Sequence, residues 1–215
     1  MTPSLSCAII VSEKRIPLVE EHVLPSVRRQ GLFQEILVVG DFHPGDGYRY
    51  LSVPTVTGTT MDALMKRECA AAATRADALL YLCDDHVLMD GWADGWPAWA
   101  EGRWGILVPA RYTVVDGHLV PINNGTDRRD PNAPYCGGHA GIFRREVLRQ
   151  RPWMAAPHDL FWDLGHSRQV VDSGFVVAPC PDLRVCDIDP NPKEHPRHFV
   201  FAGGVPMYPA GAPTP

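Results

Sequence analysis

The sequence predicts an α/β protein: a doubly wound, mostly parallel sheet flanked by helices. Three observations predict it. Short apolar, β-branched runs recur along the chain, helix-forming segments alternate with them, and acidic residues stand directly after several runs. The first run, Cys7 to Val11, reads as a buried strand delivering Ser12 and Glu13 to its end. Residues 17–30 then place Leu18, Val19, Val23, Leu24 and Val27 at helical spacing, and Gly31 supplies the stop. The segment EILVVGD is the second strand and ends on Asp41.

A Gly/Pro-rich loop (FHPGDGYR) and a short extended segment (LSVPTV) lead into TTMDALMKRECAAAATRA, which is rich in helix formers and runs into the strand ALLYLCDD. Further on, WGILVPARYTVV and HLVPI read as strands around the turn Asp116-Gly117, FRREVLRQR as a helix, and FWDLGHSRQVVDSG as a helix ended by Gly174. FVVAP and DLRVCDI complete the set as two strands. Residues 1–190 form one domain by this reading, and 191–215 a Pro/Gly-rich tail that is mobile or packs over the site.

Composition narrows the function classes. With 215 residues, 45% hydrophobic and 21% charged, the chain is sized for one substantial core and is neither disordered nor fibrous. A net charge of -5 gives no global basic field for nucleic acid. No apolar run approaches the roughly 20 residues a membrane span needs, so the chain reads as cytoplasmic. Its six cysteines lack a CxxC pair and read as reduced, mostly buried thiols.

The chemistry concentrates in YLCDDHVLMDGW, where Asp84, Asp85 and His86 follow an apolar strand. Hard oxygen ligands at a strand end can hold a divalent cation against a diphosphate, and a cation neutralises charge on a leaving diphosphate without a proton transfer. An Asp pair after a strand is also a common solvated turn. Trp92, Trp96, Trp99 and Trp104 invite a sugar-stacking reading, but Trp92, Trp96 and Trp99 lie at helical spacing and are expected in the core.

Four segments in order resemble the nucleotide-diphospho-sugar glycosyltransferases of the GT-A fold, in particular the family-two type. These are SCAIIVSEKR, ILVVGD, MKRECAAAATRADALLYLCDDHVLMDGW and FWDLGHSRQVVDSGF continued by VVAPCPDLRVCDIDP. The resemblance spans roughly residues 5 to 190. It implies a single-domain GT-A protein that uses Mn²⁺ or Mg²⁺ to hold a nucleotide-sugar, UDP-linked by expectation, and moves the sugar to an acceptor hydroxyl. It implies donor contacts from Ser12, Glu13, Asp41, Arg67 and Asp84. Cys83 stands where many members carry their first Asp. Asp84, Asp85 and His86 are alternative ligands, with Asp85 preferred.

Asp163 matches the carboxylate that removes the acceptor proton in inverting members, with Trp162 in place of the usual Glu. Asp187 stands where many members have a metal-binding His, and His195 and His198 are rival ligands. The glycine-bearing segment YCGGHAGIF brings Gly138 and His139 toward donor or acceptor. The acceptor is left open among a small molecule, a glycan, a protein and a modified nucleobase. For a nucleobase, Arg128, Arg129, Arg144, Arg145, Arg149 and Arg151 are the candidate basic groove. The rival functions are a nucleotidyltransferase or pyrophosphorylase, disfavoured by the glycine-free SEKRIPLVEE after the first strand, and an inactive sugar-nucleotide or glycan-binding module.

Overall fold

The structure, a computed structural model, describes residues 2–41, 48–55, 59–115, 117–122, 135–153, 162–188, 200–202 and 205–207. Strand β1 (Leu5–Ile10) is buried along its whole length. The chain then winds through a 3-10 turn (Glu13–Arg15), α1 (Ile16–Leu18), a π-helical turn (Val19–Val23) and α2 (Leu24–Arg29), with Gly31 beyond it at φ 65°. Next come β2 (Glu35–Gly40), β3 (Arg49–Ser52), α3 (Thr59–Ala73), β4 (Ala78–Cys83), β5 (His86–Leu88) and α4 (Trp92–Ala100). The hairpin of β6 (Ile106–Val115) and β7 (His118–Ile122) follows, then β8 (Ala140–Arg144), α5 (Arg145–Gln150), α6 (Trp162–Asp172) and β9 (Val177–Asp187). Among the described residues, strands β10 (Val200–Ala202) and β11 (Val205–Met207) pair with each other in a separate two-stranded sheet.

Nine strands make one sheet in the order β3-β2-β1-β4-β8-β6-β9-β5, with β7 on β6. Following the pairings, β1, β2, β3, β4, β6 and β9 run one way, and β5, β7 and β8 the other. The parallel half is the one the alternating strands and helices predict. The antiparallel insertions of β5 and β8 are not, and the two strands expected at FVVAP and DLRVCDI are one strand, β9, crossing a register shift opposite Pro109 and Ala110. Gly174, at φ 85°, ends α6 as expected, because only glycine adopts that backbone without strain.

Alternation along β1 sorts side chains to two cores. Cys7 and Ile9 pack with Val19, Val23 and Val27 and with Trp92, Trp96 and Trp104 on one face, while Ala8 and Ile10 pack with Leu64, Val147 and Val170 on the other. Trp92 and Trp96 are therefore core, as their spacing predicts, and Trp99 packs half-buried against it. All six cysteines are free and four are buried.

This sheet positions the site. Strand β4 lies at the middle and β5 at one end, yet only Asp84 and Asp85 separate them in sequence. The sheet must curl back on itself there. The turn is tied on both sides: Cys83 N–H donates to the His139 carbonyl at 2.9 Å, and Ile188 N–H to the Asp85 carbonyl at 2.8 Å.

Candidate active site

Asp85, His86 and Asp187 offer ligand atoms that all lie within 4.8 Å of one another. The register explains this: His86 on β5 and Asp187 on β9 are direct antiparallel partners, so their side chains share a face, and Asp85 immediately precedes β5. His86 is fully buried. Its Nδ1 faces Asp85 Oδ1, while its Nε2 is buried with no hydrogen-bond partner. Asp187 Oδ1 is likewise buried and unpartnered. Two orphaned buried atoms, one on His86 and one on Asp187, beside the second carboxylate, Asp85, are what a cation would satisfy, and a nitrogen with two oxygens suits Mn²⁺ or Mg²⁺.

The flanking charges come from residues the motif reading did not single out. Arg15 Nη1 donates to Asp84 Oδ1 at 3.1 Å and also bonds Asp85 Oδ2. Arg111 Nη2 donates to Asp187 Oδ2 at 2.8 Å. Burial pushes the Asp85 carboxyl up, but the imidazole of His86 and the guanidinium of Arg15 outweigh it and hold the group well below the usual carboxylate range. Asp84 does not belong to the ligand cluster. Ser12 donates to its Oδ2 from both backbone N–H (2.7 Å) and hydroxyl (2.8 Å), which fixes Asp84 against the end of β1. Of the three alternative ligands read from the sequence, Asp85 and His86 are thus brought together and Asp84 is held apart.

A glycine segment joins this cluster to Asp163. Gly138 N–H donates to Asp163 Oδ2 at 3.1 Å, and the next residue, His139, stacks on His86 with ring centroids 5.3 Å apart. Burial, then the charge of Arg111, pushes the His139 imidazole down to about 3. Asp163 stands in the first turn of α6, its Oδ1 accepting from Leu164 N–H at 2.8 Å. Its carboxyl is raised above the ordinary value because burial outweighs those two N–H bonds.

Arg67 is buried, with its guanidinium on the Gly138 carbonyl and 3.9 Å from Cys83 Sγ. That contact ties α3 to the glycine segment whose Gly138 N–H holds Asp163. The neighbour of Arg67, Lys66, also buried, reaches the Val11 carbonyl at 3.0 Å and anchors α3 to the end of β1. Glu13 opens the 3-10 turn. Asp41 lies exposed past the end of β2, where the Thr55 hydroxyl bonds its carboxylate and lowers its pKa.

Among the described residues, the arginines of the candidate basic groove lie away from this site. Arg144 pairs with Ala78 at the start of β4, and Arg145 N–H bonds the Asp77 carbonyl, whereas the carboxylates follow the end of that strand. At 3.3 Å per residue the two ends are about 17 Å apart. Arg149 lines a cavity with Arg144, Arg145 and Asp77, and Arg151 bonds Ser173 past the end of α6. Arg128, Arg129, His195 and His198 lie outside the described residues.

No protein-family profile and no curated protein matches the sequence. Solved structures do match. The mannosyltransferase PcManGT from Pyrobaculum calidifontis, solved with GDP-Man and Mn²⁺, superposes with a TM-score of 0.60 at 16% identity over 89% of this chain and 58% of its own. GalNAc-T7, solved with UDP, GalNAc and Mn²⁺, superposes with a TM-score of 0.61 at 13% identity over 87% of this chain and 44% of its own. The chain therefore has the GT-A fold that its motifs imply, and it spans little more than half of the first protein and less than half of the second. Among the described residues no helix is long and apolar enough to cross a membrane.

Proposed function

We propose that this chain is a metal-dependent glycosyltransferase that moves a sugar from a nucleoside-diphosphate sugar to an acceptor hydroxyl. The observation that carries the reading is the Asp85–His86–Asp187 cluster with its orphaned His86 Nε2 and Asp187 Oδ1, at the curl of a GT-A sheet. A divalent cation bound there would neutralise the charge that develops on the departing diphosphate. Ser12 and Asp84, past the ends of β1 and β4, and Asp41, past β2, follow the carboxyl ends of parallel strands, the end at which such sheets take nucleotides, and we read them as the donor side. UDP is the expected carrier, with GDP the first alternative.

Asp163 is the base in this reading. The acceptor hydroxyl gives its proton to Asp163 as its oxygen bonds the anomeric carbon, the bond from that carbon to the diphosphate oxygen breaks, and the diphosphate leaves with the electron pair. Attack opposite the leaving group inverts the anomeric centre. The raised pKa of Asp163 suits the task, since a carboxyl nearer working pH is the stronger base. Gly138, holding Asp163 through its N–H, would set the angle of that carboxylate while His139 keeps the segment against His86.

Calorimetric titration with UDP and GDP, with and without Mn²⁺, tests the donor half on the wild type and on Asp85→Asn. Metal-dependent binding lost in the variant is expected. Failure of both nucleotides under every metal condition would sink the proposal. Binding without turnover of any sugar donor would leave an inactive sugar-nucleotide module instead.

A further inference from the structure

Both carboxylates of the triad carry an arginine, and the two arginines come from unrelated parts of the chain. Arg15, on the turn after β1, bonds Asp85 and Asp84; Arg111, on β6, bonds Asp187 across the strand pair. We propose that Arg15 and Arg111 make cation binding depend on a diphosphate, holding Asp85 and Asp187 until phosphate oxygens draw the guanidinium groups away. This rests on the glycosyltransferase reading for the identity of the anion.

Charge and geometry both support it. A divalent cation seated among Asp85, His86 and Asp187 would lie beside two guanidinium groups, whose like charge opposes it. A diphosphate reverses the balance, because planar guanidinium groups pair phosphate oxygens at two points and the anion itself bridges to the cation. Arg111 has a donor to spare: its Nε is buried and unpartnered in the structure. Arg15 has room to move, since its side chain is 33% exposed against 10% for Asp84. Asp84 keeps its place when Arg15 turns, because Ser12 grips its other oxygen with two hydrogen bonds.

The coupling is reciprocal by thermodynamic necessity, so it can be read from either ligand. Mn²⁺ is titrated alone, then in saturating UDP, GDP or inorganic pyrophosphate, by calorimetry and by the spin-resonance signal of free Mn²⁺, on the wild type, Arg15→Met and Arg111→Met. We expect the diphosphate to tighten Mn²⁺ by about tenfold or more in the wild type. Arg15→Met should bind Mn²⁺ alone about tenfold more tightly than the wild type does, and the diphosphate should then add only a few-fold.

Arg15→Met carries the test because its side chain is partly exposed, and near-ultraviolet dichroism checks the fold of Arg111→Met. If pyrophosphate tightens Mn²⁺ in an Arg15-dependent way while UDP and GDP do not, the coupling stands and the nucleotide reading falls. Unchanged Mn²⁺ affinity in Arg15→Met, or an undiminished diphosphate effect, overturns the inference.

Discussion

Asp163 holds its proton more tightly than a free aspartate, and the cause is local: burial penalises the charged form more than the N–H groups of Leu164 and Gly138 favour it. Two consequences follow from the one shift. In the proposed role of base Asp163 would work only when ionised, so kcat/KM should rise with pH and level off above a midpoint higher than the ordinary 3.8. A folded-state pKa above the unfolded value means the native state binds more protons between the two, so this carboxyl lowers stability as pH rises through that window. Asp163→Asn should abolish the pH step, cost about 10²- to 10⁴-fold in kcat, and leave KM and nucleotide affinity near wild type. Relative to the wild type, Asp163→Asn should gain stability as pH rises through that window, measured by denaturant from pH 3 to 7. An unchanged kcat would remove Asp163 from the mechanism.

At the scale of elements, the site depends on β8 and the glycine segment before it. Gly141 sits on β8 opposite Tyr81 of β4, and a Cβ there would lie 2.2 Å from Cys136 Sγ and 2.8 Å from Phe143 Cε2. Gly141→Ala should therefore cost about 1–3 kcal/mol of stability. It should also weaken nucleotide binding by displacing Gly138 and His139. Cys136→Ala in the same chain should restore part of both, whereas an unaltered melting point in the single variant would show that the strand yields at no cost.

The same strand shows where sequence patterns stop informing. Strands β1, β2 and β4 announce themselves as β-branched apolar runs, but AGIFR flows into REVLRQ without punctuation, so Ile142 and Phe143 merge with the helical pair Val147 and Leu148. Strand β5 is three residues, too short for any periodicity. Asp85, His86 and Asp187 are legible one by one as ligand types. Their meeting depends on the His86–Asp187 register, a long-range pairing that no local pattern encodes. Arg15 and Arg111 left fainter traces: a cation just past the first strand, and a charge inside the apolar run ILVPARYTVV. A charge within a buried strand needs a partner, and Asp187 is that partner.

Across the whole molecule, one sheet serves two cores. Helices α2 and α4 cover one face and α3, α5 and α6 the other, with neighbouring residues of β1 feeding opposite sides. Neither core can be lost without stripping the sheet the other rests on, so unfolding should be a single cooperative transition rather than two. The site lies at the curl where β4, β5, β8 and β9 converge, so ligands there clamp both halves of the sheet at once. A ligand at 100 times its dissociation constant adds about 2.7 kcal/mol to the native state. For a chain of this size that corresponds to a rise in Tm of roughly 5–10 °C. UDP or GDP with Mn²⁺ should produce such a rise in scanning calorimetry, and each component alone should produce less. Asp187→Asn keeps the volume of the side chain but weakens it as a ligand, so it should lose most of the metal-dependent part of the shift. Two resolved transitions would show that the halves fold separately, and a Tm indifferent to metal and nucleotide together would mean that the curl of the sheet is not where they bind.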